Sequence, residues 1–449
     1  MLLIPRKRYA RRILEIALPA IAGMSSQMVV SVVETAMVGR LGDAEVSLAA
    51  MGLGVLATWT LVSFFSSLST GTHILVARRY GEGNDAAAGA VLNNSLLLSF
   101  VLGLLFGGLG FAYAYEFINL FSSDHRVSLV AADYIRYRSL GLPFFLLTVS
   151  YRGFFYGIGK TKIFMFSAIV SYVVNIAFDY LLIFGALGLP AMGVGGAGLA
   201  ASIGMVVGFV FFVIVTFVSD YRIRYKYYHR IHWSLSQIRS IVKISLPVSL
   251  QNILILFGFL IFVAITGVIG TIDQAATQVV ITALFLSFMP CFGFGIATQT
   301  LVGNALGNKK AQEAHQYGVE TAKLATIFTL LLGAVFTFAP DLILNVITTN
   351  RHVIDVARPL LRLAGVAQIV YGSGIIMAHA LQAAGDTLYV MYLEIITHWL
   401  VFLPLAYVFG VVLDKGILGA WMALPVYVLF YTGIAWSKFL SGSWKEMRV

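Results

Sequence analysis

The amino-acid sequence predicts an all-α integral membrane protein with twelve transmembrane helices in two six-helix bundles. The composition indicates this class, because 59% of the 449 residues are hydrophobic and only 11% are charged. The mean hydropathy of +0.89 is far above that of a soluble globular domain. Apolar stretches recur along the chain with no soluble domain between them, and the first half resembles the second.

The apolar stretches are long enough to be transmembrane helices. Each has roughly 20 to 30 residues, and a helix of that length crosses a hydrocarbon core of about 30 Å. Membrane lipids are therefore expected to surround the protein. We place the spans, to within about 2 to 4 residues at each end, at residues 11–38, 48–77, 89–115, 128–158, 162–187, 193–219, 236–268, 276–304, 315–346, 353–383, 387–412 and 416–439.

The distribution of basic residues predicts the topology. Lysine and arginine concentrate on alternate connections, beginning with the cluster from Arg6 to Arg12 and including the run from Arg222 to Arg230. Because basic loops stay on the cytoplasmic side, both termini are expected in the cytoplasm and the protein in a prokaryotic inner membrane. No small-residue cleavage site follows the first cluster, which predicts an uncleaved first helix. These loops explain most of the +10 formal charge without a nucleic-acid partner.

The sequence contains no motif that indicates an enzyme. Cys291 is the only cysteine, so no intrachain disulfide can form and a small buried residue is expected there. Phosphate-binding glycine loops, nucleophile elbows and zinc-protease helix motifs are absent from the sequence, as is any residue cluster with transition-metal spacing. We therefore expect neither catalysis nor a cofactor.

The two halves of the chain repeat each other. The segment from Leu14 to Pro19, Leu-Glu-Ile-Ala-Leu-Pro, matches the segment from Val242 to Pro247, Val-Lys-Ile-Ser-Leu-Pro, at an offset of 247 − 19 = 228. Gly159-Lys160-Thr161 matches Gly385-Asp386-Thr387 at an offset of 385 − 159 = 226. The chain is therefore interpreted as a duplicated bundle.

The duplication predicts the domains: an N-lobe bundle over 1–220, a cytoplasmic basic linker over 221–235 and a C-lobe bundle over 236–449. Each half has an even number of spans, so the copies share one orientation and a pseudo-two-fold axis along the membrane normal is expected. Secondary transporters with such repeats rock one bundle against the other. This fold-level association favours a carrier over a passive channel or a membrane receptor.

Polar residues inside the spans indicate where a carrier would bind a coupling ion. Glu34 is a carboxylate in an apolar span, and a charge at membrane depth suggests function. Asn175 and Asp179 are four residues apart on one helix face, and Ser202 on the next span reaches a similar level. Their oxygens suit a hard cation such as Na⁺. Repulsion between the two carboxylates would instead favour H⁺, so both ions remain open.

Three segments resemble the MATE (multidrug and toxic compound extrusion) transporters, and the similarity covers essentially the whole chain. They are the helix from Pro19 to Gly42, the segment from Arg152 to Lys162 that ends in Gly-Ile-Gly-Lys-Thr-Lys, and the segment from Asn175 to Asp179 followed by the glycine-rich run from Gly193 to Gly198. The resemblance implies secondary active antiport, in which inward-moving H⁺ or Na⁺ drives expulsion of amphipathic, often cationic compounds.

The resemblance also implies roles for the polar residues. In the DinF-like branch, an acid on the first helix, an Asn/Asp pair on the fifth and a nearby hydroxyl form an N-lobe cation site. Four positions of this sequence match that pattern: Glu34, Asn175, Asp179 and Ser202. In that branch the first-helix acid is commonly Asp and the hydroxyl residue is commonly Thr. The side chain of Glu34 is longer than that of Asp, so this difference is expected to affect whether H⁺ or Na⁺ binds.

The C-lobe differs from that of the NorM-like branch, which carries acids on the seventh and tenth helices. Here Gln251 and Asn252 occupy the relevant part of the seventh span, so the chain is expected to be closer to the DinF-like branch. Glu394 and His398 lie four residues apart on the eleventh span and form either a possible C-lobe proton relay or a buried structural pair.

Other residues are predicted to serve the substrate pathway. Gln27 lies seven residues before Glu34, on the same helix face, and is predicted to contact substrate in the cavity. Pro19 and Pro247 are predicted to kink the first helix of each half. An aromatic and Met-lined cavity with an acid suits flat hydrophobic cations. The protein is expected to function as a monomer.

Two alternatives to antiport are considered. A lipid-linked oligosaccharide flippase resembles MATE proteins in architecture but typically has a cationic cavity for a pyrophosphate headgroup, whereas the intramembrane charges identified in the N-half are acidic. A passive channel or receptor would show no ion-dependent accumulation of substrate.

Overall fold

The computed structural model describes residues 4–121, 124–227 and 233–447. Within these ranges all regular secondary structure is helical, which confirms the predicted all-α class. The helices before the linker are α1 (Lys7–Val38), α2 (Ala44–Ser66), α3 (Leu68–Gly81), α4 (Asp85–Ala112), α5 (Ala114–Asn119), α6 (His125–Ser139), α7 (Leu142–Gly157), α8 (Thr161–Phe184), α9 (Gly193–Val218) and α10 (Tyr221–Tyr225).

The second half follows the same plan. Its eleventh predicted span contains two π-helical segments, Ile395–Phe402 and Val408–Val412. The helices are α11 (Leu235–Ile269), α12 (Thr271–Gly307), α13 (Ala311–Phe338), α14 (Pro340–Ile347), α15 (Arg351–Ala383), α16 (Thr387–Glu394), α17 (Leu403–Tyr407) and α18 (Gly416–Ser441).

Eleven helical stretches of the described residues are long and apolar enough to cross a membrane. The predicted fourth span, 128–158, is instead divided into α6 and α7, with a break at residues 140–141. Arg136 and Arg138 reduce the apolarity of α6 just before the break. Pro143 then occupies the first turn of α7, where its missing N–H costs no hydrogen bond. The other eleven predicted spans each have a counterpart in the structure.

The chain forms two compact units, which we call the N-unit (Pro19–Ser245) and the C-unit (Met1–Leu18 with Leu246–Val449). The first residues of α1 belong to the C-unit, where the backbone N–H of Arg6 donates to Glu320 Oε2 at 2.8 Å. The first residues of α11 belong to the N-unit, where Asn94 Nδ2 donates to Gln237 Oε1 at 2.8 Å.

Pro19 and Pro247, the predicted kink residues, lie close to the division between the units. It falls directly before Pro19 in α1 and between Ser245 and Leu246 in α11. Both helices run without interruption through their prolines. The two prolines therefore occupy equivalent places in the repeat, at the points where each first helix passes from one unit to the other.

The first part of the predicted linker packs onto the N-unit. Arg224 Nε lies 2.8 Å from Asp85 Oδ2, and the ring of Tyr225 contacts that of Phe154 with centroids 5.1 Å apart. The backbone also approaches closely, because a Cβ on Gly89 would lie 2.0 Å from the carbonyl oxygen of Tyr225. Residues 228–232 of the linker, including Arg230, lie outside the described residues.

The glycine-rich start of α9 brings this helix against two neighbours. A Cβ on Gly198 would lie 2.4 Å from the carbonyl oxygen of Tyr134 on α6, and one on Gly196 would lie 2.7 Å from that of Leu182 on α8. Only glycine permits backbones to approach so closely, as is common between membrane helices. The motif therefore holds α6 and α8, which carry the candidate site, on two faces of α9.

Candidate ion-coupling site

Asn175 and Asp179 form a hydrogen-bonded pair on α8. The amide nitrogen Nδ2 of Asn175 donates to Oδ2 of Asp179 at 2.9 Å, across one helical turn. Asp179 is completely buried, with 0% exposure, and its other oxygen, Oδ1, has no hydrogen-bond partner among the described residues. Because a buried acceptor without a partner is costly, this oxygen is suited to a proton or a cation.

Glu34 supplies a second buried carboxylate from α1. The residue is 6% exposed, and its Oε1 likewise has no hydrogen-bond partner in the described part of the chain. Glu34 therefore shares two features with Asp179: both residues are buried, and each has one carboxylate oxygen without a partner in these ranges.

The helices that carry the two acids meet in an apolar cluster around Tyr134, which we call the Tyr134 cluster. Val38 of α1, Tyr134 of α6 and Ile183 of α8 all belong to it and are at most 1% exposed. Val38 lies one turn beyond Glu34, and Ile183 lies one turn beyond Asp179. Since residues four apart share a helix face, Glu34 and Asp179 lie on the faces that α1 and α8 turn toward this cluster.

Arg138 on α6 is a third charged residue of this site, and the sequence-based prediction does not include it. It lies one turn beyond Tyr134, and its Nη1 donates to the Tyr134 hydroxyl at 2.9 Å. Like Glu34 and Asp179, it therefore lies one turn from a member of the Tyr134 cluster. Its position inside the predicted span 128–158 is the signal that could have revealed it, since intramembrane charges are seldom without function.

The guanidinium of Arg138 is close to the acids without forming a direct ion pair with either among the described residues. Its Nε is buried and has no hydrogen-bond partner in those ranges. Unsatisfied polar atoms of Arg138, Glu34 and Asp179 therefore lie in one region of the N-unit. A ligand, a proton or a change of rotamer is required to satisfy them.

The hydroxyl of Ser202, which is predicted to bind the coupling cation, is hydrogen-bonded to backbone groups. Its hydroxyl donates to the carbonyl oxygen of Tyr137 at 2.6 Å and accepts from the backbone N–H of Gly141 at 3.0 Å. These bonds join α9 to the end of α6 and the start of α7. The hydroxyl therefore supplies a partner to the Tyr137 carbonyl at the helix break, where the last carbonyls of a helix lack intrahelical donors.

Gln27 lies on an accessible part of α1. Its side chain is exposed, and the next two residues, Met28 and Val29, are 38% and 59% exposed. The spacing of seven residues places Gln27 two turns before Glu34 on a similar helix face. Its amide is thus positioned at the surface of the N-unit along the helix that leads to the buried acid.

Glu394 and His398 are buried beside each other in the C-unit. His398 Nδ1 lies 3.5 Å from Glu394 Oε1, and the Tyr427 hydroxyl donates to the same oxygen at 3.0 Å. Both ring nitrogens of His398 are without hydrogen-bond partners among the described residues. The π-helical segment Ile395–Phe402 begins directly after Glu394, and such segments are frequent at functional sites.

A separate group of amides links three helices of the C-unit. Gln299 Nε2 on α12 donates to Gln382 Oε1 at 2.9 Å and contacts His379 Nδ1 at 3.0 Å on α15. Gln382 Nε2 in turn donates to Gln251 Oε1 on α11 at 3.3 Å. The network is built from neutral side chains, so amide pairing holds together the region where Gln251 lies.

The fold, with eleven helical stretches long and apolar enough to cross a membrane among the described residues, is that of a polytopic membrane protein. The model of the MatE family matches residues 19–181 and 247–408, well over half of the chain. The chain belongs to this family, the MATE transporters, and is a transporter rather than an enzyme. The two matches begin 247 − 19 = 228 residues apart, which agrees with the predicted duplication.

Similar proteins cover nearly the whole chain. "Probable multidrug resistance protein NorM" of Thermotoga maritima is 28% identical over 445 residues, which are 98% of this chain and 94% of the relative. "Probable multidrug resistance protein YoeA" of Bacillus subtilis is 24% identical over 372 residues, 81% of this chain and 79% of the relative.

Two solved structures share the fold. A MOP superfamily transporter from Pyrococcus furiosus has a TM-score of 0.86 at 22% identity, covering 97% of this chain and 95% of its own. An outward-facing multidrug resistance MATE family transporter has a TM-score of 0.88 at 21% identity, covering 97% of both chains. At this level of identity the likeness concerns the fold.

Proposed function

We propose that this MATE transporter is a secondary active multidrug efflux antiporter. It exchanges inward-moving H⁺ or Na⁺ for outward-moving amphipathic, often cationic compounds by alternating access. The observation that carries the proposal is the pair of buried carboxylates, Glu34 and Asp179, each with an oxygen that has no partner in the described residues. The names of the relatives, which denote multidrug resistance proteins, support the substrate class.

The coupling step is assigned to Glu34 and Asp179, with Asn175 as the residue that orients Asp179. A buried carboxylate is expensive to leave unpaired, so it gains a proton or a cation in one state of the cycle and loses it in another. The hydrogen bond from Asn175 holds one oxygen of Asp179 and leaves the other available. Ser202 is assigned a supporting role: its hydroxyl stabilises the break between α6 and α7 and does not bind the coupling ion.

Substrate binding is assigned to the acidic centre and to Gln27 on the same helix. An organic cation and the coupling ion would compete for the charge of the same carboxylates, which is the basis of exchange in this proposal. The amide of Gln27 is exposed two turns from Glu34 and offers a donor and an acceptor to polar groups of a substrate.

The C-unit pair, Glu394 with His398, is proposed as a proton relay. The imidazole and carboxylate approach within 3.5 Å, and histidine changes charge near physiological pH. We also propose that the chain is closer to the DinF-like branch, since the neutral network around Gln251 occupies the region where the NorM-like branch carries acids.

The working protein is proposed to be a monomer in the prokaryotic inner membrane, surrounded by lipid and with both termini in the cytoplasm. The basic residues on alternate connections support this orientation. Large exposed apolar side chains along the helices, such as Leu104 and Leu105 at 52% and 53%, support contact with lipid acyl chains.

One observation favours the alternative function, flipping of a lipid-linked oligosaccharide. Arg138 is a cation, so the intramembrane charges of the N-half are not only acidic, in contrast to the expectation from the sequence. Two carboxylates still outnumber one guanidinium, so the site keeps a net negative charge when both acids are ionised. That balance suits a cation better than a pyrophosphate headgroup, and antiport remains the function the site supports best.

Antiport can be tested in reconstituted vesicles loaded with a fluorescent cationic dye under separate H⁺ and Na⁺ gradients. We expect one gradient to drive dye movement and Asp179→Asn to abolish it. Asp355→Asn is the matched control, because that aspartate is 63% exposed and far in sequence from the site. Equal dye movement in Asp179→Asn and wild type would refute the site. No movement under either gradient would refute antiport and favour the flippase.

A further inference from the structure

The acidic centre of the N-unit contains its own fixed positive charge. Arg138 is anchored by its hydrogen bond to the Tyr134 hydroxyl at 2.9 Å, and Tyr134 is 0% exposed at the centre of the Tyr134 cluster. The same cluster holds Val38 and Ile183, each one turn from an acid. The packing of α1, α6 and α8 therefore places Glu34, Arg138 and Asp179 each one turn from the same cluster.

The charged and titratable groups around this centre come from three helices. Glu34 lies on α1, Tyr134 and Arg138 lie on α6, and Tyr172 and Asp179 lie on α8. Arginine remains charged inside proteins. With both acids ionised, the net charge of the centre is −1 rather than −2.

The oxygen ligands available for a metal ion are few. Asn175 presents its NH₂ group, not its oxygen, to Asp179, and Ser202 Oγ is bonded to backbone groups of α6 and α7. Of the four residues predicted as ligands, Glu34 and Asp179 each keep one carboxylate oxygen without a partner in the described residues. A dehydrated sodium ion needs a shell of oxygen atoms in place of its water, and a nearby arginine is a known electrostatic barrier to cations.

We propose that Arg138 is a specificity-determining residue that closes the Glu34/Asp179 centre to sodium. Its guanidinium serves as an internal counter-cation and neutralises one of the two carboxylate charges. A sodium ion entering the centre would meet a weakened attraction, an incomplete oxygen shell and direct repulsion from the guanidinium. The guanidinium opposes a proton as well, but a proton needs only one carboxylate oxygen, whereas sodium needs a shell of oxygen atoms. This inference rests on the proposed coupling role of the centre and leaves the proton as its coupling ion.

Equilibrium binding of radioactive sodium to the purified protein in detergent, at neutral pH, tests the inference without requiring transport. Wild type is expected to show no saturable sodium binding that depends on Asp179. Arg138→Gln is expected to bind sodium at least about tenfold more tightly than wild type, because removal of a unit charge restores the full attraction of both acids. Adding Asp179→Asn to Arg138→Gln is expected to remove this binding.

Two control variants separate charge from structure. Arg138→Lys keeps the positive charge and is expected to behave like wild type. Arg136→Gln removes an arginine two residues away on α6 whose side chain is 43% exposed, and it is expected to leave sodium binding unchanged. If Arg138→Gln does not fold, the comparison of wild type with Asp179→Asn still decides whether the native centre binds sodium.

Saturable sodium binding by wild type that is lost in Asp179→Asn would overturn the inference and leave the antiport proposal intact. A folded Arg138→Gln protein without sodium binding would equally overturn the role of Arg138. Failure of antiport itself would appear separately, as the absence of gradient-driven dye movement in vesicles.

Discussion

The amide of Asn175 donates a hydrogen bond to Oδ2 of Asp179 across one turn of α8, and it leaves Oδ1 of the same buried carboxylate without a partner in the described residues. One oxygen is therefore held by the protein, whereas the other is available for exchange. This division explains how a rigid helix can both orient an acid and leave it able to gain and lose an ion.

Removal of the Asn175 amide is expected to weaken both folding and transport. Asn175→Ala deletes the donor and leaves both oxygens of Asp179 unsatisfied, which costs about 1–3 kcal/mol. We expect a lower melting temperature in detergent and slower dye efflux in vesicles. Asn345→Ala, at an exposed site on α14, is the control for asparagine loss. Wild-type efflux in Asn175→Ala would contradict an orienting role.

Neutralisation of Glu34 is expected to uncouple transport. Glu34→Gln keeps the size of the side chain but removes its charge. Gradient-driven efflux is therefore expected to fall about five- to hundredfold, which corresponds to a typical coupling free energy of about 1–3 kcal/mol. Glu15→Gln lies on the same helix with a side chain that is 59% exposed, and it is expected to transport normally. If both variants transport equally well, coupling does not pass through Glu34.

Ser202→Ala distinguishes a packing residue from an ion ligand. Its hydroxyl bonds the backbone of Tyr137 and Gly141, so the substitution is expected to cost about 1 kcal/mol of stability while the ion dependence of efflux stays as in wild type. Thermal unfolding and efflux under each gradient provide the two measurements. An altered choice of ion, with stability unchanged, would restore Ser202 to the coupling site.

Gly198→Ala is expected to force α9 away from α6. The added Cβ would lie 2.4 Å from the carbonyl oxygen of Tyr134, and overpacking of this kind costs about 1–3 kcal/mol. Because Tyr134 anchors Arg138, efflux is expected to decrease as well. Gly108→Ala on α4 is the control, since nothing lies within 4 Å of its added Cβ. Equal melting temperatures for the two variants would contradict the close approach.

Glu394→Gln separates a proton relay from a structural pair. The Gln side chain can still accept the hydrogen bond from Tyr427 but cannot exchange a proton. A relay predicts slower efflux under a proton gradient with little change in melting temperature. Tyr427→Phe, which removes only the donor, is expected to cost about 1 kcal/mol of stability. Unchanged efflux in Glu394→Gln would make the pair structural.

The fold class could be predicted because it depends on local properties of the chain. Apolar stretches of membrane-crossing length need no partner to be recognised, and the repeat that relates Pro19 to Pro247 is visible in the residues themselves. The break between α6 and α7 was missed because α6 and α7 together have the length of one span. The contact of Arg6 with Glu320 could not be predicted, because it joins residues that are distant in sequence.

The sequence by itself determined the buried acids and the Asn175/Asp179 pair, because a carboxylate in an apolar helix and a spacing of four residues are local signals. Only the tertiary structure decided what surrounds them. It placed Arg138 beside Glu34 and Asp179 and turned Ser202 toward the backbone of α6. The physical reason is that charge balance and hydrogen-bond satisfaction depend on which helices pack together, and that packing is a property of the whole N-unit.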